Sequence, residues 1–544
     1  MAADLSQFIR NLLCIGFFSS GLYKVCATEL TSDDFYERER VQEIRLSISG
    51  LNLAKMKEAL PERKYVPATL HWRNIRLENV GVRYKGNSSS RPHQRHKRGY
   101  LIKVNEFKKG TRFLKLRRIA LDNGVQFGSL FSEPIVTDIL RNLEIPASRF
   151  NYANLFINNE YQGVYGNVER IDESFIKRHF GSKKGLLYKV HMGGPGANFS
   201  YEGNDPAQYK KGFEPKNEAA EKSFDELIDL IREIDKDDKP NYEQTLIKHL
   251  MAENFLKTTA VMLFAGCFDQ LTGWNPHNYY LYRNPKTDRW SYIPWDLDVG
   301  FADHAFGNIP VIDGWNAAWP IPGGPPKPIL ENIAANPSLL KKYRETASTI
   351  LEKYFKPDQL HSKIDKLYDL IKKDLVKDPY PAKRITNPRD AGYDDIILSF
   401  KRFIDRRYQL ARQQLDNPGP RPKPYIQNST RQHQRPAPGD LPNGPTDLVI
   451  ISRTKNSIKL EWKDNADNEA GHIVQRIDIE STEKFRNHIP CPGRSETNAI
   501  DVRVSPGKTY RYRVYSVFST PNGYAGSKPS KVVVSAPPTK AGKK

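Results

Sequence analysis

The sequence predicts an α+β chain in which a sheet-rich lobe precedes a helical lobe, followed by a separate all-β sandwich. Three observations predict this. Apolar and polar residues alternate with period two through much of residues 43–171, helical spacing takes over from Asp225, and a proline-rich stretch, Asn417–Pro445, isolates a last run of short alternating segments. At 544 residues the chain is too long for one core and divides into domains.

At the N-terminus, Arg10 precedes the short apolar run LLCIGFFSSGL, small residues at Val25–Ala27 offer a cleavage site, and acidic residues begin at Glu29. Residues 1–27 therefore read as a signal peptide, and the chain is expected to be secreted or held at the cell surface. No later run reaches the ~18 consecutive apolar residues a membrane helix requires, so no transmembrane helix is expected in the mature chain. With 38% hydrophobic and 27% charged residues and a mean hydropathy of −0.65, the chain reads as soluble rather than membrane-embedded.

The next segments build the sheet. EIRLSISG (43–50), HWRNIRLENVGVRYKG (71–86) and GYLIKVNEF (99–107) alternate, with the small-residue turn GNSSS between the last two. SLFSEPIVTDILRNLEIP carries helical spacing and stops at Pro146. NYANLFINNEYQGVYGNVERI supplies two strands turning at Asn158-Asn159. Residues 43–171 thus read as an antiparallel sheet with a helix packed on it.

From Asp225 onward DELIDLIREI, YEQTLIKHLMAENFLKTTAVMLFAGC, SLLKKYRETASTILEKYF and HSKIDKLYDLIKKDL read as helices, interrupted by a hairpin over His277–Asp298. The glycine-rich Gly193–Gly203 lacks strand-to-helix context and reads as a flexible surface insertion. Residues 417–445 form a linker, and 446–537 offer six or seven short strands separated by turn residues, the pattern of a β sandwich.

Net charge is +21 with a pI near 9.5. From Arg83 to Arg118 there are thirteen Lys or Arg against one acid, Glu106. Such a run attracts polyanions, an anionic cell-wall polymer or nucleotide phosphates among them; its ordinary meaning is a solvated basic face, and no nucleic-acid partner is expected. Four cysteines spread over separate segments make no disulfide framework, and Cys267 reads as buried and structural rather than as a nucleophile. The tryptophans at 274, 290, 295 and 315 read mainly as core.

The chemistry concentrates in YIPWDLDVGF. Asp296 and Asp298 end a strand and, at period two, point to one face. Two ionised carboxylates there need a cation between them, and hard oxygen ligands suit magnesium, manganese or calcium. Upstream, FAGCFDQLTGWNPHNYYLY places Asp269, then Asn275 and Asn278, before the hairpin. An Asp, an Asn, a hairpin and a strand-end Asp follow the logic of phosphoryl transfer: the first orients the acceptor hydroxyl, and the others hold metal on a triphosphate. KGNSS, with Asn87 and Ser88, offers a backbone cradle for phosphate, and Lys103 on the following strand offers the phosphate-contacting cation.

The series GVRYKGNSSS, GYLIKV, NYANLFINNEYQGVYGNVERID, GLLYKV, DQLTGWNPHNYYLY and YIPWDLDVGF resembles the spore-coat protein H (CotH) family of secretory protein kinases. The resemblance covers a domain over 41–412. It implies an atypical two-lobed protein-kinase fold that uses ATP and a divalent metal, Mg2+ or Mn2+, to phosphorylate Ser/Thr on exported proteins. On this resemblance Lys103 is the nucleotide lysine and Asp269 the catalytic aspartate. The metal ligands are Asn278, with Asn275 competing, and Asp296 or Asp298, of which Asp298 is favoured because VGF follows it. Glu169 either pairs with Lys103 or contacts the adenine-side linker. In the last unit LEWKDN with Trp462, YRYRVYSV with Tyr510 and Tyr512, and PSKVVVSAPP resemble a fibronectin type III domain, which implies a tether or spacer. The rival expectation is a non-catalytic adhesive or coat protein that binds anionic polymer through its basic face and sandwich.

Overall fold

The computed structural model describes residues 29–537 except 87–89, 91, 93–95, 125–129, 237–239, 274–275, 303, 306–308, 311–314, 322–326, 381, 383, 385–391, 423–442 and short stretches of the last unit (456, 467–468, 470, 480–484, 492–496, 503 and 521–522). The expected signal peptide and most of the expected linker lie outside these residues, as do Asn87, Ser88, Trp274 and Asn275.

The first lobe is a closed barrel rather than an open sheet. Its strands are β1 (Gln42–Ser47), β2 (Val66–Trp72), β3 (Ile75–Lys85), β4 (Gly99–Lys103), β5 (Arg118–Asp122), β6 (Phe150–Ile157) and β7 (Glu160–Val168), in the order β1-β2-β3-β4-β5-β7-β6. Neighbours are antiparallel except β1 and β6, whose parallel ladder from Gln42↔Ala153 to Leu46↔Ile157 closes the ring. Alternation sends Ile44, Leu46, Val80, Val82, Ile102 and Leu155 inward to a core that also holds Trp72 and Phe113. The turn between β6 and β7 falls at Asn158 (φ 51°) and Asn159 (φ 67°), the left-handed pair a two-residue hairpin requires.

The helix Ser132–Asn142 buries Ile135, Val136, Ile139 and Leu140. A second sheet follows, with β8 (Leu186–Val190), β9 (Phe213–Pro215), β10 (Tyr279–Asn284) and β11 (Arg289–Pro294) in the order β11-β10-β8-β9. The long helical reading from Tyr242 is broken at Leu250, where Met251 N donates to Trp290 O (2.8 Å), giving Tyr242–His249 and Ala252–Ala265. The latter is buried over most of its length and is the spine of the second lobe. Pro337–Tyr354, Pro357–Leu375 and Tyr393–Asp416 complete that lobe; the two former begin with proline at their first turn, where its missing N–H costs nothing.

Gly193–Gly203 is not a surface insertion. Ala197 and Phe199 are buried, Tyr279 Oη donates to Ala197 O (2.6 Å), and a Cβ on Gly194 would land 2.0 Å from Gly212 Cα. Gly194 serves close backbone packing and Gly196 lies against the Tyr209 ring, whereas Gly193 and Gly203 face open space.

Two strands, β12 (His304–Ala305) and β13 (Ile309–Pro310), make a minor hairpin. The last unit consists of two antiparallel sheets. One is β14 (Thr446–Arg453), β15 (Ile458–Lys463) and β18 (Asn498–Asp501); the other joins β16 (Gly471–Asp478), β17 (Arg486–Cys491), β19 (Tyr510–Thr520), β20 (Gly523–Gly526) and β21 (Val533–Ser535). Leu460 and Trp462 from the first share one core with Val474, Tyr510 and Tyr512 from the second, so the two sheets form a sandwich.

Candidate active site

The β10–β11 hairpin brings the carboxylates together. Its ladder continues one step past the strands, with Trp295 N donating to Asn278 O (2.8 Å), so Asn278 and Asp296 leave the open end side by side. Both adopt left-handed backbone (φ 58° and 60°), a conformation Asn and Asp tolerate better than most residues. Helix Ala252–Ala265 ends at left-handed Gly266, and three residues later Asp269 enters the site. Asn278 Nδ2 donates to Asp269 O (3.1 Å) and Oδ2 (3.0 Å), and His277 Nε2 lies 3.4 Å from the same carboxylate oxygen.

From the barrel comes Lys85, at the end of β3. Its Nζ is bonded to the Asp122 carboxylate and lies 3.5 Å from Asp296 Oδ1. Gly99 stands opposite Lys85 on β4, where a Cβ would crowd Leu121 O at 3.0 Å and lie in ordinary contact with the Lys85 side chain at 3.8 Å from Cδ. Glu133 and Ser132, in the first turn of their helix, close the back of the site; Ser132 Oγ donates to Leu297 O (3.0 Å) and the Glu133 carboxyl accepts from Leu297 N.

Electrostatics separate four of these carboxylates. Burial, reinforced by Asp296, pushes Asp269 up to about 6, against the pull of His277 and Asn278. Burial, then Asp122 and Asp296, pushes Glu133 up to about 8. Asp298 is raised well above the carboxylate range by burial and then by Asp296, Asp122 and Glu133. Asp296, its side chain 36% exposed, moves the other way: lost hydration is outweighed by Lys85, Lys189, His277 and Arg170. Lys189 on β8 is itself held down to about 8 by burial and by Arg170.

A divalent cation fits this arrangement. Carboxylates that raise one another's pKa need either protons or a cation to lie together. No group of three or more His, Cys, Asp or Glu among the described residues is disposed to hold a metal. A cation at this turn would have to draw on the two carboxylates Asp296 and Asp298 and the Asn278 amide; magnesium is commonly held by one or two carboxylates with phosphate oxygens supplying further ligands.

Asp269 is in contact with Asn278, and Asp296 acts electrostatically on both Asp269 and Asp298, whereas Lys103 and Glu169 stand elsewhere than expected. Lys103 stands opposite Gly81, at the far end of the ladder from Lys85, where it pairs with Glu106 (2.5 Å) in the turn that follows its strand. The lysine delivered to the carboxylates is Lys85. Its signal in the sequence is a lysine ending a strand immediately before a small-residue turn. Glu169 neither meets Lys103 nor lies open to a ligand: its side chain is 3% exposed, bonded to Arg149 Nη2 (2.7 Å), Arg149 N (3.1 Å) and Arg178. Cys267, Trp290, Trp295 and Trp315 are core residues, as expected.

The family model described as CotH kinase protein matches residues 82–411. The inner spore coat protein H of Bacillus subtilis (strain 168) is 24% identical over 380 residues, covering 68% of this chain and 96% of that protein. Among solved structures, a myokine structure (16% identical, TM-score 0.15, 18% of this chain and 98% of that one) and a human fibronectin type III domain (16%, TM-score 0.15, 19% and 94%) match, at scores too low to bear on the fold.

Proposed function

The chain belongs to the CotH family of kinase proteins, and from that premise we propose that it transfers the terminal phosphoryl group of ATP to a Ser or Thr hydroxyl of an exported protein. The observation that carries the proposal is the meeting of Asp269, Asn278 and Asp296 from one lobe with Lys85 from the other. Asp269 orients the acceptor hydroxyl and takes its proton as the oxygen–phosphorus bond forms and the bond to ADP breaks. Lys85 holds a phosphate oxygen. Asn278, Asp296 and Asp298 hold Mg2+ or Mn2+, which neutralises phosphate charge. Asp296 is the principal ligand, since against burial Lys85, Lys189, His277 and Arg170 hold its carboxyl below the usual range, while Asp298, which the sequence favoured, is pushed up by burial and its acidic neighbours. Catalysis is then positioning and charge neutralisation.

Export rests on the N-terminal pattern, and the sandwich, of fibronectin type III type, serves as a tether. No helix among the described residues is long and apolar enough to cross a membrane. The relative's description as a coat protein favours a second reading, surface or coat association through the basic face and the sandwich, with or without catalysis.

Intact mass of the full chain after incubation with ATP and magnesium or manganese tests the reading. A gain of about 80 Da per event in the wild type and none in Asp269→Asn supports phosphoryl transfer; a gain of about 329 Da would mean AMP transfer instead. No gain, with no rise in Tm on adding ATP, would leave the coat reading.

A further inference from the structure

In the connection between helices Pro357–Leu375 and Tyr393–Asp416, the described residues Asp378 and Arg384 reach the two sides of the candidate site. Asp378 Oδ2 accepts from Lys97 Nζ (2.6 Å) and from Val164 N (3.0 Å), and its other oxygen from Tyr380 N (3.0 Å). The Lys97 and Asp378 side chains are 1% and 0% exposed. Lys97 also donates to Val164 O (2.5 Å) and lies 4.5 Å from the centre of the Tyr165 ring. β7 admits the carboxylate only because residue 163 is glycine: with φ +104°, a Cβ would land 2.3 Å from Asp378 Oδ2.

A buried ion pair contributes little net stability, because desolvation consumes most of the attraction. Its connections suggest a different use. Lys97 O accepts from Asn123 Nδ2 (2.7 Å), and Asn123 adjoins Asp122, the carboxylate that holds Lys85. Arg384, six residues beyond Asp378 and also buried, donates to Gly300 O (2.8 Å), to Phe301 O and to Ser399 Oγ (2.9 Å). Gly300 and Phe301 closely follow the turn that carries Asp296 and Asp298.

We propose that Lys97, Asp378 and Arg384 are positioning residues, through which this one connection fixes the spacing between Lys85 on the barrel and the Asp296–Asp298 turn on the second lobe. None of the three touches substrate. The proposal rests on the phosphotransfer reading for its catalytic consequence and on geometry alone for the coupling.

The test uses the full chain with Asp378→Asn, Lys97→Met and Arg384→Lys, read by hydrogen exchange and by steady-state kinetics. Each variant is expected to speed exchange at both rims, residues 119–123 and 296–302, while helix Ala252–Ala265 keeps its wild-type protection and so reports an intact fold. The kcat should fall roughly 10- to 100-fold, the scale of a misplacement near 1 Å, with a smaller change in KM for ATP. Faster exchange confined to the mutated rim, or a kcat within about twofold of wild type in an active enzyme, overturns the proposal. An inactive wild type would sink the phosphotransfer reading, and exchange at the two rims would then decide the coupling by itself. Should Asp378→Asn or Lys97→Met fail to fold, Arg384→Lys, which keeps the charge and part of the donor set, decides between these outcomes.

Discussion

Lys85 Nζ stands 3.5 Å from Asp296 Oδ1, although 211 residues separate them in the chain. One belongs to the end of β3 in the barrel and the other to the turn after the β10–β11 hairpin, so this contact ties the barrel to the second sheet.

The contact assigns different consequences to two lysines on one strand pair. Lys85→Met should lower phosphoryl transfer by about 100-fold or more, the usual scale for losing a charge that stabilises a transition state. Lys103→Met should leave the rate within about twofold, since its partner is the partly exposed Glu106, away from the carboxylates. Equal losses in the two variants, measured as kcat/KM for ATP, would contradict the assignment.

Asp269 works as a base only when ionised. Burial pushes its pKa up to about 6, so kcat/KM should climb as pH rises through that value and level off above it. Asp269→Asn should lose about 100-fold or more, and what activity survives should lack that limb.

Glu133 links pH to stability with a definite sign. Its ordinary pKa is 4.5, and burial with the nearby aspartates takes it to about 8. The folded protein thus keeps a proton that the unfolded chain releases, so the group's contribution is complete below about 4.5 and is lost as pH rises towards 8. Metal-free protein should show Tm declining over that window. Mg2+ or Mn2+ should offset the decline by supplying positive charge, and in Asp296→Ala the metal should have little effect.

Glu169→Gln should be a stability variant and not a binding one. It leaves Arg149, 5% exposed, without its buried carboxylate. Arg149 keeps its second carboxylate, the exposed Asp33 (2.5 Å), so the loss should fall below the ~3–5 kcal/mol of a fully unpaired buried ion yet be visible in urea unfolding, while nucleotide affinity of the folded fraction should remain near that of the wild type.

The part of the site that the sequence discloses is its local part. Asp269, Asn278 and Asp296 lie within thirty residues, joined by one hairpin whose period and turn are plain in HNYYLYRNPKTDRWSYIP. Lys85 is not local. Period two places Lys85 and Lys103 on matching faces of a hairpin, but parity cannot say which end of the ladder meets the other lobe; that depends on the β3-β4-β5 register. Barrel closure is hidden for the same reason, since the β1–β6 ladder joins segments with no common turn. Lys97, Asp378 and Arg384 stand in loops whose composition reads as surface, and only tertiary packing buries them. In Gly193–Gly203 a glycine count suggests freedom, whereas Gly194 and Gly212 lack side chains because their backbones touch.

Closure of the barrel by its earliest strand has a temporal consequence. β1 can pair with β2 as soon as that strand is made, but Gln42 can find its parallel partner only after Ala153 has emerged, so the β1–β6 seam is the last to close. Until then β1 and β6 each present an open edge, and joining strands so distant in the chain is slow. A protease that removed β1 after closure would reopen the ring and leave β2 and β6 as free edges for edge-to-edge association.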